Sequence, residues 1–279
     1  MEVLIFAAMK KYQRELVVAA AEVLRADYTL LRLKAPAGPL PEMWPGQFVQ
    51  VRADASPSTL LRRPISINFV DTAAGELWLL VHAVGSGTRA LCALREGERV
   101  DVVLPLGTGF PLCSGGERVL LVGGGVGSAP LLYLGSRLAA RGCDVTFLLG
   151  GRRAADVLQA DCCKRYGRVC ITTEDGSAGE RGVVTDHSLW TEASFATVYT
   201  CGPRPMMRAV AARAAAMGAR CYVSLENTMA CGLGACLCCV QQTTEGHVCV
   251  CTDGPVFEAD AEFSLRPLPS ATDYSGTNL

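Results

Sequence analysis

The most concentrated group of reactive side chains in this sequence is a cysteine cluster near its C-terminal end. Six of the 14 cysteines lie within residues 231–251, and three of them follow the spacing C-x4-C-x2-C with a fourth downstream. This spacing is typical of the ligands of a plant-type [2Fe-2S] cluster. Gly232 and Gly234 would let the backbone approach the cluster and point N–H groups at its sulfurs. The candidate ligands are Cys231, Cys236, Cys239 and Cys251.

Two other interpretations compete with an iron–sulfur cluster. Structural zinc sites favour paired C-x2-C knuckles, and only Cys236 and Cys239 form one. Cysteines packed as small apolar residues would not explain six in so short a segment. The exact ligand set stays open at this stage, because Cys238 and Cys249 lie beside the candidate ligands Cys239 and Cys251.

A glycine-rich run in the middle of the chain is typical of a dinucleotide site. Residues 123–130 follow the apolar segment 119–122 and open a helix-like segment over residues 129–140. Glycines let the backbone approach a pyrophosphate, while the helix N-terminus supplies N–H groups and a favourable dipole. The run departs from the strict G-x-G-x-x-G fingerprint, so a purely structural turn is the alternative. The predicted contacts are Gly123, Gly124, Gly125, Gly127, Ala129 and Pro130.

Two more turns follow apolar strands of the same region. The turn formed by Cys201, Gly202 and Pro203 would lie at the carboxyl edge, where open α/β sheets bind ligands. Glu174 and Asp175 follow another strand, where an acid could accept hydrogen bonds from a ribose and repel a 2′-phosphate. This would favour NAD over NADP. An ordinary turn at the strand end explains the two acids equally well.

A third group of candidates precedes the glycine-rich run. Residues 62–66 read Arg-Arg-Pro-Ile-Ser, and residues 84–88 read Val-Gly-Ser-Gly-Thr. An arginine fork binds phosphate, and a serine hydroxyl can reach a flavin nitrogen or oxygen. Gly87 and Thr88 could donate to a second phosphate. Taken alone, these segments would be a solvated turn and a hairpin loop, and only their position upstream of a nucleotide motif favours binding.

Two patterns of apolar segments must position these motifs. Short apolar runs at residues 16–23, 28–33, 48–51, 77–82 and 100–104 predict an antiparallel barrel or sandwich. After residue 115, strand-like runs alternate with helical segments, which predicts a parallel sheet with crossover helices. Residues 231–257 are too irregular to build an apolar core, and we expect them to fold around what their cysteines bind. The polar tail from Pro267 is expected to be loosely ordered.

Composition excludes several classes of protein. The 26 Lys and Arg residues nearly balance 27 Asp and Glu, which argues against an electrostatic nucleic-acid binder. The chain is 50% hydrophobic and 19% charged, so it is not globally disordered. It has no uncharged apolar run near the ~20 residues that span a bilayer, and residues 1–9 make a poor signal peptide. We therefore expect a cytoplasmic protein with reduced thiols rather than a secreted disulfide scaffold.

The order of the motifs along the chain resembles the ferredoxin–NADP reductase superfamily. Within it, residues 10–263 are most similar to the electron-transfer subunits of dihydroorotate dehydrogenase B. Pro-Gly-Gln-Phe at 45–48 precedes Leu-Leu-Arg-Arg-Pro-Ile-Ser, and Cys-Thr-Asp-Gly-Pro-Val-Phe at 251–257 closes the cysteine loop. That last match favours Cys251 over Cys249 as the fourth ligand. Residues 1–8 lie outside the resemblance, as an appended strand or a misassigned start.

The resemblance implies three cofactors and a division into domains. NADH would bind at residues 123–130 and 201–203, pass a hydride to FAD, and supply single electrons to the [2Fe-2S] cluster. The implied FAD contacts are Arg63, Pro64, Ile65, Ser66, Leu80, Val81, His82, Gly87 and Thr88. The family more often has arginine at position 82 and an aromatic residue at position 81. The expected protein is multidomain α and β, with an antiparallel β-barrel flavin domain (9–112), an α/β parallel-sheet nucleotide domain (113–219), a small iron–sulfur domain (220–264) and a tail (265–279).

The resemblance also implies a partner, a flavin-containing dihydroorotate dehydrogenase catalytic subunit, in a heterotetramer of two plus two that serves pyrimidine biosynthesis. No catalytic acid or base is predicted in this chain, because hydride transfer depends on positioning. One alternative is a reductase subunit of another complex, of the sulfhydrogenase or transhydrogenase type. The other is a non-enzymatic cysteine-based sensor of redox state or iron, which would bind no flavin.

Overall fold

The computed structural model describes residues 10–54, 56 and 59–268. Residues 1–8, with the two interpretations given above, lie outside this part of the chain, as does the tail beyond residue 268. Across the described residues, no helix is both long and apolar enough to cross a membrane.

The N-terminal region is a closed six-stranded barrel in which every neighbouring pair is antiparallel, in the order β1-β2-β5-β4-β3-β6. This confirms the antiparallel prediction and decides for the barrel over the sandwich. A short helix, α1 (Ser86–Cys92), precedes the last strand. The strands are β1 (Tyr12–Arg25), β2 (Tyr28–Lys34), β3 (Phe48–Val51), β4 (Arg63–Asp71), β5 (Glu76–His82) and β6 (Arg99–Leu106).

Alternation along the strands separates the inside of the barrel from its outer face. On β3, Val49 and Val51 belong to the apolar core inside the barrel. Phe48 belongs instead to a second core, which it shares with the sheet that follows. Because successive strand side chains point to opposite faces, Gln50 lies on the same outer face as Phe48. This face of β3 is therefore directed towards the rest of the molecule.

The second region is built on a parallel sheet, as predicted. Four of its six parallel strands, β7, β8, β11 and β12, are buried along almost their whole length, which explains their almost continuous apolar runs. The six strands are ordered β10-β9-β8-β7-β11-β12. The strands are β7 (Arg118–Gly124), β8 (Asp144–Gly151), β9 (Arg168–Thr173), β10 (Glu180–Arg181), β11 (Thr197–Cys201) and β12 (Arg220–Ser224), and the helices are α2 (Ala129–Ala140), α3 (Ala160–Cys163), α4 (Leu189–Glu192) and α5 (Arg204–Ala216).

The cysteine-rich region continues this sheet. It contains a hairpin of β13 (Val240–Thr243) and β14 (Gly246–Cys249), followed by β15 (Val256–Ala259) and β16 (Leu265–Pro267). β15 pairs antiparallel with β12, and β16 pairs antiparallel with β15.

The sheet extends across two of the expected domain limits. β12, on the iron–sulfur side of the 219/220 limit, is a strand of the parallel sheet, and β16 follows the 264/265 limit. The cysteine-rich region contributes to the core of the sheet and does not form a separate one, since Val250 and Phe257 are fully buried there. β15 also pairs with the edge of β12, whose backbone N–H and C=O groups would otherwise lack partners on that side.

Polar side chains join the barrel to the sheet region. Asn68 on β4 is fully buried and donates from Nδ2 to the carbonyl oxygen of Ala129, at 2.9 Å. Its amide also pairs with that of Gln159 through two hydrogen bonds of 2.9 and 3.0 Å. The Tyr133 hydroxyl on α2 donates to the carbonyl of Met43 at 3.0 Å. The barrel and the sheet therefore share buried, directional contacts.

Candidate functional site

A cavity of about 1250 Å³ lies between the barrel and the carboxyl ends of the parallel strands. Segments that follow all six of these strands line it, together with residues from the barrel rim. This is the edge at which open α/β sheets bind ligands. From the sheet side the cavity is lined by Gly124, Gly125, Gly127, Gly150, Gly151, Glu174, Asp175, Gly202 and Pro203, and from the barrel side by Arg25, Asp27, Tyr28 and His82.

The glycine-rich turn after β7 lies directly against the turn after β11. A Cβ atom on Gly127 would fall 2.4 Å from the carbonyl oxygen of Cys201 and 2.5 Å from the Cα of Gly202. Both of these are backbone atoms, so a side chain at position 127 would force the two turns apart. The structure thus brings two separate sequence motifs into one wall of the cavity.

Not every residue of the two motifs faces the cavity. Gly124, Gly125, Gly127, Gly202 and Pro203 line it, whereas Gly123, Ala129, Pro130 and Cys201 are not among its lining residues. Cys201 is 2% exposed, and burial raises the pKa of its thiol above the ordinary value. Cys201 is therefore a packed, protonated small residue, and its predicted contact with the dinucleotide does not involve a cavity-lining side chain.

Glu174 and Asp175, which follow β9, both line the cavity, and Asp175 also stabilises a local turn. The Asp175 carboxylate accepts hydrogen bonds from the Ser177 backbone N–H at 2.9 Å and from the Ser177 hydroxyl at 2.6 Å. The Ser177 hydroxyl and N–H lower the pKa of this carboxyl. Arg152 and Arg153 line the same end of the cavity. Any ribose bound there would therefore meet both carboxylates and guanidinium groups.

The barrel contributes a stack of side chains of which only His82 was selected from the sequence. The rings of Tyr28 and His82 stack with centroids 4.2 Å apart, and the Arg25 guanidinium lies 4.7 Å from the Tyr28 centroid. Arg25 pairs with Asp27 at 2.5 Å and with Asp156 of the sheet region. A hydrogen bond from Arg25 outweighs partial burial and lowers the pKa of Asp27 to about 2. Arginine and aspartate around a tight turn gave no sequence signal for a binding site.

Besides stacking on Tyr28, His82 contacts Asp27: the distance between His82 Nε2 and Asp27 Oδ2 is 3.2 Å. Glu226, at the start of the cysteine-rich region, is a second cavity-lining residue that the sequence reading did not select. Its carboxyl faces the open cavity but is surrounded by protein, and this desolvation raises its pKa.

The predicted flavin residues lie on β4, on β5 and at the start of α1. A Cβ on Gly87 would meet Arg63 Cδ at 3.2 Å, so the arginine and the α1 turn lie side by side. Thr88 Oγ1 accepts from the N–H groups of Val84 and Gly85, each at 3.0 Å. Arg62 is not part of this group, because it donates to Asp101 Oδ2 at 2.6 Å.

The strand residues of this set divide between core and outer face. The side chains of Ile65 and Val81 belong to the barrel core, and Leu80 packs against Tyr28. These three residues could therefore contact a ligand only through their backbone atoms. Pro64 and Ser66 pair in register with Gln50 and Phe48, which places them on the outer face.

The cysteine loop has its backbone N–H groups directed at sulfur. Leu233 N–H donates to Cys231 Sγ at 3.3 Å, Gly234 N–H to Cys251 Sγ at 3.2 Å, and Cys251 N–H to Cys239 Sγ at 3.4 Å. Gly232 and Gly234 have φ values of 69° and 84°, which glycine adopts without strain. Burial raises the pKa of the Cys231 thiol, but hydrogen bonds from the loop outweigh it and bring the pKa to about 6. The Cys231 end of the loop therefore favours a thiolate, whereas burial and the neighbouring Cys239 raise the pKa of Cys251 to about 12.

The candidate ligands are neighbours of one another. The Cys231 thiol interacts with Cys236, and the Cys251 thiol interacts with Cys239 and with Cys231. Within the described ranges, no three His, Cys, Asp or Glu side chains are placed to hold a single metal ion. The spacing of these four cysteines matches the ligands of a [2Fe-2S] cluster, whereas only Cys236 and Cys239 form the C-x2-C knuckle of a zinc site. Cys249 is also a neighbour of Cys239, but only Cys251 accepts a hydrogen bond from the glycine loop.

The cysteine loop is held against the barrel. Thr108 N–H, just after β6, donates to the carbonyl of Gly254 at 2.6 Å. A Cβ on Gly107 would fall 2.6 Å from Pro255 Cδ. The segment that closes the cysteine loop thus packs on the barrel with no space between them.

Comparisons with known proteins agree with this arrangement. Residues 226–261 match the family model of the iron-sulfur cluster binding domain of dihydroorotate dehydrogenase B, and residues 121–212 match that of the oxidoreductase NAD-binding domain. The electron transfer subunit of dihydroorotate dehydrogenase B (NAD(+)) from Shouchella clausii is 44% identical over 89% of this chain and 96% of its own length. The protein of the same name from Bacillus velezensis is 42% identical over 77% of this chain and 86% of its own.

Solved structures show the same fold. An NADH-dependent reduced ferredoxin-NADP oxidoreductase, described in connection with flavin-based electron bifurcation, superposes with a TM-score of 0.80 at 30% identity, covering 90% of this chain and 89% of the other. The ferredoxin reductase of carbazole 1,9a-dioxygenase superposes with a TM-score of 0.63 at 20% identity, covering 76% of this chain and 68% of the other. At that identity the second comparison shows the fold alone.

Proposed function

Because this chain belongs to the family of dihydroorotate dehydrogenase B electron transfer subunits, we propose that it relays electrons between NAD(H) and a partner flavoprotein. The partner is the dihydroorotate dehydrogenase catalytic subunit, so the relay serves the oxidation of dihydroorotate to orotate in pyrimidine biosynthesis. The chain is an NAD-linked oxidoreductase subunit, and the substrate chemistry takes place on the other chain.

The proposal assigns three cofactors to three places in the chain. When bound, FAD exchanges a hydride with NAD(H) and single electrons with the [2Fe-2S] cluster. The chain itself positions them. Gly124, Gly125 and Gly127 offer a backbone surface to the dinucleotide pyrophosphate, with Gly202 and Pro203 beside them and Asp175 towards the ribose. Gly123, Ala129, Pro130 and Cys201 support this surface from behind.

The flavin would be held at the barrel. The Arg63 guanidinium and the turn at Gly87 and Thr88 adjoin each other and suit a phosphate. Pro64 and Ser66 offer the outer face of β4, and Ile65, Leu80 and Val81 offer backbone atoms. His82, fixed by Asp27 and stacked on Tyr28, faces the cavity from the same rim.

The cysteine loop would hold the cluster through Cys231, Cys236, Cys239 and Cys251. Cys236 is exposed, and the neighbouring Leu233 and Leu237 are 47% and 63% exposed. Exposed leucines beside a redox ligand support the docking of another protein at this loop. Two copies of each subunit would form the assembly.

The contacts of the cysteine-rich region with the barrel and with the nucleotide cavity give the strongest support for this function. The segment closing the cysteine loop packs directly on the barrel through Thr108 and Gly254, and Glu226 of the same region lines the nucleotide cavity. A nucleotide site, a flavin motif and a thiolate loop are thereby in contact within one chain. Neither a zinc knuckle nor a free-standing sensor requires this juxtaposition.

A visible absorption spectrum of the anaerobically purified chain tests the proposal. We expect flavin bands on a broad iron–sulfur envelope, and bleaching of both on addition of NADH. A colourless protein with bound zinc would contradict the relay. The sensor alternative differs from the relay in binding no flavin.

Substitution of a single ligand separates the two redox centres. In Cys236→Ser the iron–sulfur envelope should be lost, while NADH still reduces the flavin at close to the normal rate. Cys162→Ser, which changes a cysteine outside the loop, is the matched control and should keep both signals. Loss of flavin reduction in Cys236→Ser alone would contradict the assignment of separate sites.

Co-purification distinguishes this proposal from a related reductase subunit. That alternative is supported by the similarity to the NADH-dependent ferredoxin-NADP oxidoreductase. We expect a tagged chain to retain a flavin-containing dihydroorotate dehydrogenase subunit; retention of a different redox enzyme instead would favour the alternative. We also propose a cytoplasmic location, because all 14 cysteines are free thiols in the structure.

A further inference from the structure

The side chain of Gln50 is buried, and its polar atoms form no hydrogen bond with the described part of the chain. It is 0% exposed, and neither its amide nitrogen nor its amide oxygen has a hydrogen-bond partner among the described residues. Buried polar groups in folded proteins are nearly always paired, so each exception calls for an explanation. A bound group that the chain itself does not supply is one such explanation.

The position of Gln50 indicates which group this is. It lies on the outer face of β3, next to Phe48, which shares a buried core with Cys239 and Cys251. A Cβ placed on Gly232 would fall 2.8 Å from Gln50 Cγ and 2.8 Å from Gln50 Nε2. The amide therefore lies against the backbone of the residue that follows Cys231. Only glycine at position 232 leaves room for it.

The same side chain lies beside the predicted flavin motif. Gln50 pairs in register with Pro64 on β4 and with Val103 on β6. It is thus placed between the outer face of β4 and the start of the cysteine loop. An amide in this position can form a hydrogen bond with the cluster from the side on which the flavin would bind.

The chemistry of the loop decides which amide atom is used. Thiolate and sulfide sulfurs accept hydrogen bonds and do not donate them, so they can pair only with the amide N–H of Gln50. Hydrogen bonds to sulfur stabilise the additional negative charge of a reduced cluster and thereby raise its reduction potential. Gln50 is uncharged, so this effect needs no change of protonation.

We propose that Gln50 is a positioning residue for electron transfer: its side-chain N–H donates a hydrogen bond to a cluster sulfur at the Cys231 end of the loop and raises the potential of the cluster. This inference rests on the proposed function, since it requires the [2Fe-2S] cluster. It predicts that the barrel, as well as the loop, sets the potential of the acceptor.

The test is an EPR-monitored redox titration of the purified holoprotein. Gln50→Met keeps the length and burial of the side chain but removes the N–H, so we expect a lower midpoint potential for the cluster and an unchanged flavin midpoint. Gln50→Glu, which adds a negative charge, should lower the cluster potential further. Gln242→Met, which replaces an exposed glutamine on β13, is the matched control and should leave both midpoints unchanged.

A second readout detects the contact itself. With glutamine labelled by 15N in the side chain, the reduced cluster of the unmodified protein should show a hyperfine coupling to an amide nitrogen that Gln50→Met lacks. If Gln50→Met does not fold, Gln50→Asn withdraws the amide by one methylene and should lower the cluster potential in the same direction.

The outcomes separate this inference from the proposed function. A cluster midpoint unchanged in a folded, fully loaded Gln50→Met would overturn the role of Gln50, as would a shift confined to the flavin. Absence of any cluster signal from the unmodified protein would instead overturn the proposed function.

Discussion

Thiols occupy two distinct chemical environments in this chain. Burial raises the pKa of Cys163 and of Cys221 to about 12 in each case. These side chains stay protonated and act as small apolar residues. In the cysteine loop, by contrast, N–H groups bring the pKa of Cys231 to about 6. The difference comes from the direction of backbone N–H groups and not from exposure alone.

This difference predicts a pattern of alkylation. In chain freed of metal, iodoacetamide should modify Cys231 with a rate that rises through pH ~6 and then levels off, because only the thiolate reacts. An ordinary cysteine, with a pKa near ~8.5, would still be reacting more slowly at pH 7. Mass spectrometry of the modified peptides measures the rates. Cys163 should remain unmodified, and Cys231 should be protected in the cluster-loaded chain; equal labelling of Cys163 and Cys231 would contradict this account.

At the scale of elements, contact between two turns makes a specific demand at Gly127. Alanine at this position would place a Cβ 2.4 Å from the Cys201 carbonyl oxygen, and relief requires the turn after β7 to move away from β11. We expect Gly127→Ala to lose about 1–3 kcal/mol of unfolding free energy, as overpacked sites do. NADH binding should weaken with it.

Thermal unfolding and the KM for NADH measure this effect. Gly85→Ala is the matched control for stability, since a Cβ there meets no atom within 4 Å and its φ of −131° suits any residue. A melting temperature for Gly127→Ala equal to that of Gly85→Ala would show that the two turns have room to separate.

The elements also show what sequence can and cannot predict. The apolar runs predicted β3 at residues 48–51 and α2 at residues 129–140, because both patterns are local and uninterrupted. The apolar runs did not predict β4, since Arg63, Pro64 and Ser66 break the alternation of apolar residues. Its strand conformation depends on pairing with β3 and β5, which are distant in sequence or separated by a turn.

The same distinction applies to the site. The cysteine spacing and the glycine run are contiguous, so the sequence alone identifies them. The stack of Arg25, Tyr28 and His82 is assembled from three strands, β1, β2 and β5, and the Asp156 that pairs with Arg25 comes from the other region. No local pattern contains this information. The unpaired amide of Gln50 could not be predicted either, because its neighbour Gly232 is distant in the sequence.

At the scale of the whole molecule, hydrogen bonds between the buried amide of Asn68 and the half-buried amide of Gln159 link the barrel to the sheet region. Asn68→Ala would leave the Gln159 amide and the Ala129 carbonyl without their partner. An unsatisfied buried polar group costs about 1–3 kcal/mol. We therefore expect a lower unfolding free energy and faster hydrogen exchange at the start of α2.

A double-mutant cycle isolates this contact. Gln159→Ala alone should also destabilise the protein, and the double variant should lose less than the sum of the two single changes, because the remaining partner is no longer left unpaired. Denaturant unfolding provides the three free energies. Additive losses would mean that the amide pair does not hold the two regions together.

The pairing of β12 with β15 has a consequence for how the cysteine loop is attached. Ser224 and Val256 are partners across neighbouring strands, so the 31 residues between them leave and re-enter the sheet at adjacent points. Both ends of the loop are therefore held by neighbouring strands of the sheet, and this attachment does not depend on a bound metal. Loss of iron should therefore disturb the loop without separating β12 from β15, whereas replacing the whole loop by a short turn would remove both the cluster ligands and Glu226 from the wall of the nucleotide cavity.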